Sequence, residues 1–301
     1  MLHRFFETTQ PIHYALYSGL VIVAGFTSVF WFEQLSFQTI TTVLGLVFLL
    51  LLTQFILIKN ELTQNSSYAF MSMSVLLCLL FPNVFSDWLW LANLLIFMSL
   101  RRLLSMRTRH SILSKIFDAS FWITIASLIE PKFCLFFLPV FVGVFLWARN
   151  NYRFWVIPFL GITTVLIISW VIQLYFNIDL LPRLILSSSY EFAGSYVLQL
   201  HWVSILLLSF IVAGIILYVG SIISVIHKTR AKYSVLFFYS LVSAIIFLWL
   251  DKNQTASQLL LFLPTVLFLN YIFTSSSNRV LKIILVLIPI AILVVRTIFI
   301  L

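Results

Sequence analysis

The chain has 301 residues, of which 62% are hydrophobic and 17% aromatic, while only 9% are charged. A soluble globular domain carries about a quarter charged residues, so that class is excluded. Eighteen Lys and Arg against nine Asp and Glu give a formal charge of +9. The cations stand in short clusters between apolar runs, the placement of membrane anchors, and a nucleic-acid partner is not expected.

A helix crossing bilayer hydrocarbon needs roughly 20 apolar residues, because lipid offers nothing to hydrogen-bond an exposed backbone. Cutting the chain at its polar punctuation gives segments near 12–31, 39–58, 67–82, 88–104, 113–129, 132–147, 154–177, 201–225, 234–250, 256–273 and 281–300. The expectation is an all-α, polytopic transmembrane bundle of about eleven helices, one integral domain over residues 1–301. The first apolar run has full span length and no small-x-small site in a polar context follows it, so it is expected to remain as a helix. Two stretches are expected outside the spans: an inner basic segment, 101–118, and an external one, 178–200, long enough for a short interfacial helix. Cys78 and Cys134 lie inside apolar runs with no metal or disulfide spacing.

The fifth and sixth segments read either as one long rod or as two helices joined at Glu130-Pro131-Lys132. Proline disfavours helix at the residue before it, and two charges at mid-bilayer would be costly. Charge placement agrees with the split. With an internal N-terminus and eleven spans, Lys132, Arg183, Lys252 and Arg296 fall outside and the remaining fourteen of the eighteen cations inside. A merged helix would invert the second half and put Lys228, Arg230, Lys232 and Arg279 outside. Carboxylates, which the orientation rule ignores, go the other way: Glu33, Asp87, Glu130, Asp179, Glu191 and Asp251 face outward, and Glu7, Glu61 and Asp118 inward.

Several enzyme signatures are absent: a Gly-rich phosphate loop, H-E-x-x-H, G-x-S-x-G and paired histidines at helical spacing. The five histidines are scattered near predicted helix ends, so neither a metal centre nor a cofactor is expected. Arg296 alone is a charge deep in a span, and it snorkels from near the C-terminus. Gln54, Asn93, Gln173 and Asn270 read as interhelical hydrogen bonds. The inner segment 101–118 interleaves Arg101, Arg102, Arg107, Arg109 and Lys115 with Leu103, Leu104, Met106, Ile112, Leu113 and Ile116. That pattern suits topology anchoring, anionic headgroups or a docked protein partner. Asp118, three residues beyond Lys115, is placed to pair with it on one helix face.

The most informative element is Glu130-Pro131-Lys132 followed by Phe133-Cys134-Leu135-Phe136-Phe137-Leu138-Pro139. A helix that ends on an acidic-Pro-Lys turn and restarts as an aromatic half frees backbone groups beside a cation at the interface. Such a place either receives a lipid-linked phosphate or is a solvated external turn. The order over residues 88–176, a basic inner loop, a small-residue run, the Pro-Lys turn, a Leu/Phe/Pro helix and an Arg-flanked span, resembles the core of the GT-C polyprenyl-phosphate-sugar glycosyltransferases. That resemblance implies an external carboxylate as base, here Glu33 or Asp87, and external cations for the lipid phosphate, here Lys132 and Arg183. Glu130, Glu191, His201 and Asp251 are further external polar candidates. The sequence departs from that pattern in a first external loop of about seven residues, Phe32 to Gln38, and in Glu33 where an Asp is usual.

Lys59-Asn60-Glu61-Leu62-Thr63 with Asn65 and Tyr68, Leu100 to Met106 with Arg107, and Phe117-Asp118-Ala119-Ser120-Phe121-Trp122-Ile123 carry a second resemblance. Over most of the chain it is similar to an uncharacterised family of inner-membrane proteins from Bacteroidota-type bacteria, which implies a location and a topology but no activity. The expected function is therefore binding or transfer of a lipid-linked sugar on the external face of the inner membrane. A non-catalytic scaffold or complex subunit and a small-molecule or lipid transporter are the alternatives. Expected partners are membrane lipids, a polyprenyl-phosphate-linked sugar and a protein at 101–118.

Overall fold

The computed structural model describes residues 10–32, 36–62, 67–81, 83–86, 88–149, 151–177, 227–249 and 258–275. Among these residues there is no strand. The helices are α1 (Pro11–Phe32), α2 (Phe37–Lys59), α3 (Tyr68–Cys78), α4 (Leu89–Ser105), α5 (Ile112–Ile129), α6 (Phe137–Ala148), α7 (Arg153–Phe176), α8 (His227–Trp249) and α9 (Leu259–Ser275), with 3₁₀ turns at Asn83–Ser86, Met106–Thr108 and Pro131–Phe136. They correspond to nine of the eleven expected segments; 201–225 and 281–300 lie outside the described residues.

Among the described residues, seven stretches are long and apolar enough to cross a membrane: Pro11–Phe30, Phe37–Lys59, Leu89–Thr108, Ile112–Ile129, Pro131–Ala148, Arg153–Phe176 and Ala231–Leu248. The exposure of their side chains agrees with a lipid surround. On α7, Ile167, Ile168, Trp170, Val171 and Leu174 are all at least half exposed, while Ile157, Gly161, Val165 and Ser169 are buried. A soluble helix would turn that apolar stripe inward. Among the described residues the fold is all-helical, and its long apolar helices are those of a multi-pass membrane protein.

Two expected spans differ. The third is α3, 11 residues long, or about 16 Å at 1.5 Å per residue, against a hydrocarbon core of about 30 Å. Every residue from Ser67 to Phe81 is buried, so α3 is an encased core helix. The apolar part of α9, Leu259–Asn270, is likewise short. Hydropathy marks both segments as apolar but does not distinguish burial by protein from burial by lipid.

The described helices fall into two compact units, α1–α3 with α9, and α4 from Leu91 on with α5–α8. In the first, α3 packs on α1, α2 and α9, and Phe70 meets the rings of Tyr14 and Tyr17. Ser36 caps α2, its Oγ accepting from the Thr39 amide while Thr39 Oγ1 accepts from the Ser36 amide. Gln38 Nε2 donates to the Phe85 carbonyl at 2.8 Å, tying the start of α2 to the Asn83–Ser86 turn. Gly45 lets the Trp90 ring lie against the α2 backbone, where a Cβ would overlap ring atoms.

The second unit is built on α5 against α7. The buried face of α5 is small and hydroxylated: Ala119, Ser120, Thr124, Ala126 and Ser127. Its hydroxyls donate to the carbonyls four residues back, Ser120 to Ile116, Thr124 to Ser120 and Ser127 to Ile123, each at 2.8 Å. With those groups satisfied inside the helix, α7 comes close at Gly161. Lipid tails are as apolar as Leu, so helices here gain by close packing and not by leaving water. The 131–136 turn and α6 then pack on α5, and α8 packs on both.

Candidate functional site

The break at residue 130 is present. α5 stops at Ile129, and Glu130 is extended at φ −136°, ψ 107°, its amide donating to the Ala126 carbonyl. Pro131 opens the 3₁₀ turn at a position where no amide hydrogen is required, and the Phe133 amide donates to the Glu130 carbonyl at 3.0 Å. Two buried rings fasten the turn. Phe133 and Phe136 meet edge to face with centroids 5.9 Å apart, and Phe136 lies 5.2 Å from the buried Tyr239 ring of α8, which also meets Phe97 of α4. Glu130, Pro131 and Lys132 are left half-buried at the end of α5, and neither charged residue is without a partner.

Directly beyond Lys132 begins an open groove of about 660 Å³. Its floor runs from Cys134 in the 131–136 turn along one face of α6, through Leu138, Phe141 and Val142 to Leu146. Trp155 of α7 forms one wall, and Ser234 and Phe238 of α8 form the other. The lining is apolar apart from the Ser234 hydroxyl, the Trp155 indole N–H and the exposed Cys134 thiol. Phe141 stacks on Trp155, centroids 6.3 Å apart and planes 16° off parallel, which fixes that wall.

At the opposite end of α5 lies the basic turn. The expected non-spanning segment 101–118 is divided by the structure: 101–105 complete α4, 112–118 begin α5, and only 106–111 connect them. Leu103, Leu104, Met106 and Ile116 are core residues, and only Leu113 among the larger apolar ones is exposed. The segment is thus an interhelical corner and not a surface-lying amphipathic helix. The Arg102 Nε stands 3.0 Å from Asp118 Oδ2. Lys115, buried, donates to the Ser105 carbonyl and to Thr108 Oγ1, both at 2.7 Å. The partner of Asp118 thus comes from across the corner, because the ammonium three residues earlier is turned onto the end of α4. Arg109 and Ser111 take left-handed conformations, φ 53° and 47°, to make the corner.

Of the site residues expected from the sequence, Glu130 and Lys132 are therefore placed side by side at the break. Glu33, Asp87, Arg183, Glu191, His201 and Asp251 lie outside the described residues, as does the external segment 178–200. Among the described residues no group of three His, Cys, Asp or Glu is arranged to hold a metal ion. The groove was not foreseen. Its only trace in the sequence is an aromatic face, Phe137, Phe141 and Phe145 at fourfold spacing, which reads equally well as a lipid-facing stripe. Comparison with protein-family models, with curated proteins and with solved structures returns no match for this chain.

Proposed function

We propose that this chain is an inner-membrane protein that binds a lipid-linked sugar phosphate on the external face of the bilayer, with Lys132 holding the phosphate. The observation that carries the reading is the interrupted helix at Glu130-Pro131, which sets Lys132 two residues before Cys134, where the lining of an open apolar groove begins. Sidedness is supported by the second unit. α5 has 18 residues, about 27 Å at 1.5 Å per residue, close to the hydrocarbon thickness. It separates Lys132 from the corner bearing Arg107 and Arg109. The positive-inside rule then puts the corner in the cytoplasm and Lys132 outside.

In this reading the lipid phosphate receives a charge-assisted hydrogen bond from the Lys132 ammonium, in surroundings where water competes poorly. Transfer of the sugar would further need a base toward the acceptor, the role the GT-C resemblance gives to Glu33 or Asp87. The test is binding of a polyprenyl phosphate to the purified protein in nanodiscs. A hydrogen bond to a charged group contributes about 1.5–3 kcal/mol, so Lys132→Ala should weaken binding roughly 10- to 100-fold and Lys132→Arg should retain most of it. Unchanged affinity in Lys132→Ala removes the reading. An alanine series at Glu33, Asp87, Lys132 and Arg183, with envelope glycan and protein abundance measured together, separates transfer from binding alone.

A scaffold role is favoured by one observation, the way Arg102, Asp118 and Lys115 are used within the corner itself. It leaves Arg109 and His110 exposed as the surface a cytoplasmic partner would meet.

A further inference from the structure

We infer that the second unit binds the headgroup of an anionic phospholipid between two adjoining basic turns, with the guanidinium groups of Arg109, Arg149 and Arg153 on its phosphate. The inference is independent of Lys132, which stands at the opposite end of α5.

The fold brings together two turns that are distant in sequence. Gly143 of α6 lies against Leu103 of α4, where an added Cβ would stand 3.5 Å from Leu103 Cδ2, and the Met106–Thr108 turn also packs on α6. Arg149 follows Gly143 by six residues, about 9 Å along a helix, and so reaches the level of that turn. α5 and α7 keep the same register: Ile112 and Arg153 open their helices eight residues before the contact of Ser120 with Gly161. The turn that carries Arg109 and His110 therefore adjoins the one that carries Arg149 and Arg153.

Arg109, His110, Arg149 and Arg153 are all exposed. Among the described residues of this unit the carboxylates are Asp118, taken by Arg102, and Glu130, at the far end of α5. The patch is thus left complementary to an external anion. Phosphate suits it, because a guanidinium presents a planar fork of donors that matches phosphate oxygens. Arg149 is already positioned, its guanidinium lying 5.4 Å over the Phe145 ring.

The surroundings make the phosphate that of a lipid. Leu113, Phe145, Leu146, Tyr152 and Val156 are exposed beside the cations, an apolar rim that a free anion would leave in water and acyl chains would cover. Those chains need no particular structure, and discrimination lies in the headgroup. Phosphatidylcholine carries a quaternary ammonium that the patch repels, whereas phosphatidylglycerol brings the negative charge alone. An anionic surface attracts each nearby cation by about 1 kcal/mol, or roughly fivefold.

The experiment uses the purified full chain in phosphatidylcholine nanodiscs holding a minor share of a probe with a photoactivatable group beside its headgroup, phosphatidylglycerol in one sample and phosphatidylcholine in the other. Peptide mass spectrometry gives the ratio of glycerol-lipid to choline-lipid labelling at 107–114 and at 149–156. Both ratios should exceed the one at 167–174 of α7 by roughly fivefold or more. Arg109→Gln and Arg153→Gln should each lower the ratio roughly fivefold, and each at both stretches, because one headgroup touches both turns. Arg109→Lys and Arg153→Lys should keep most of it, and Lys59→Gln, in the first unit, should leave it unchanged. If Arg153→Gln lowers thermal stability, Arg109→Gln, in the exposed connection, carries the test. Equal labelling by the two lipids at both stretches overturns the inference and leaves the patch to an acidic protein. An effect of each variant confined to its own stretch overturns it too, since the turns would then attract lipid separately.

Discussion

Replacing Gly161 by alanine tests the packing on which the second unit is built. A Cβ there would lie 2.7 Å from Ser120 Cβ, and 3.2 Å from both the Phe117 carbonyl oxygen and the Phe121 amide nitrogen. Ser120 is buried in α5, and the other two atoms are backbone, so relief requires the helices to separate by several tenths of an ångström along their shared face. Overpacking of this kind costs typically 1–3 kcal/mol. Gly19 of α1 supplies the control, since a Cβ there meets nothing within 4 Å; Gly19→Ala should be neutral or stabilising by up to about 1 kcal/mol from helix propensity. The measurement is the unfolding free energy in mixed detergent and sodium dodecyl sulfate, followed by circular dichroism. Gly161→Ala should fall ~1–3 kcal/mol below the parent. The double variant Ser120→Gly/Gly161→Ala should recover part of the loss, because the Cβ clash is gone and the two backbone contacts remain. A Gly161→Ala protein as stable as Gly19→Ala would refute the close approach of α5 and α7.

The corner between α4 and α5 supports two more expectations. Lys115→Met should destabilise by roughly 1–3 kcal/mol, since the Ser105 carbonyl and Thr108 hydroxyl lose a charged donor at a buried position; detergent unfolding would show it, and a neutral result would mean water replaces the ammonium. The Arg102–Asp118 pair is partly exposed, so Asp118→Asn should cost at most about 1 kcal/mol, and exchanging the two residues should restore stability in the same assay. In detergent, a maleimide should label Cys134 well before Cys78, because the first is exposed on the groove floor and the second buried in α3; equal labelling, read by peptide mass spectrometry, would count against the encasement of α3. Trp90→Phe should perturb α2 less than Gly45→Ala does, as judged by thermal unfolding, because the ring loses size while the added methyl would overlap it.

The spans that hydropathy located within two or three residues, such as α2, α5 and α7, are those whose ends carry their own chemistry: the Ser36 cap, Pro131 and the Arg153 start. The break before Pro131 was legible for the same reason, since a proline acts on its own neighbour. What was not legible depends on residues distant in sequence. Asp118 finds Arg102 sixteen positions away across a turn, although Lys115 stood at helical spacing. The shortness of α3 follows from being surrounded by α1, α2 and α9, which an apolar run does not announce. The groove needs a floor from α6, one wall from α7 and another from α8, and no linear pattern encodes three helices meeting. The break before Pro131 was therefore readable, and the groove beyond it was not.

The direction of the chain after Pro131 can be argued from one contact. Were 112–148 a single rod, Ala148 would stand about 42 Å from Ser120 at 1.5 Å per residue. From Ala148, the five residues to Arg153 reach at most about 18 Å when fully extended, and the eight helical residues to Gly161 add about 12 Å. The chain would fall short of Ser120 by about 12 Å, yet Gly161 packs directly on it. The chain therefore doubles back at Glu130-Pro131, and α6 returns Arg149 and Arg153 toward the level of the 106–111 corner. Ser120 and Gly161 each lie eight residues from their helix starts, Ile112 and Arg153, the register that such a return produces. Lys132 is then set apart from the basic clusters at 106–111 and 149–153 by the length of a span on both sides.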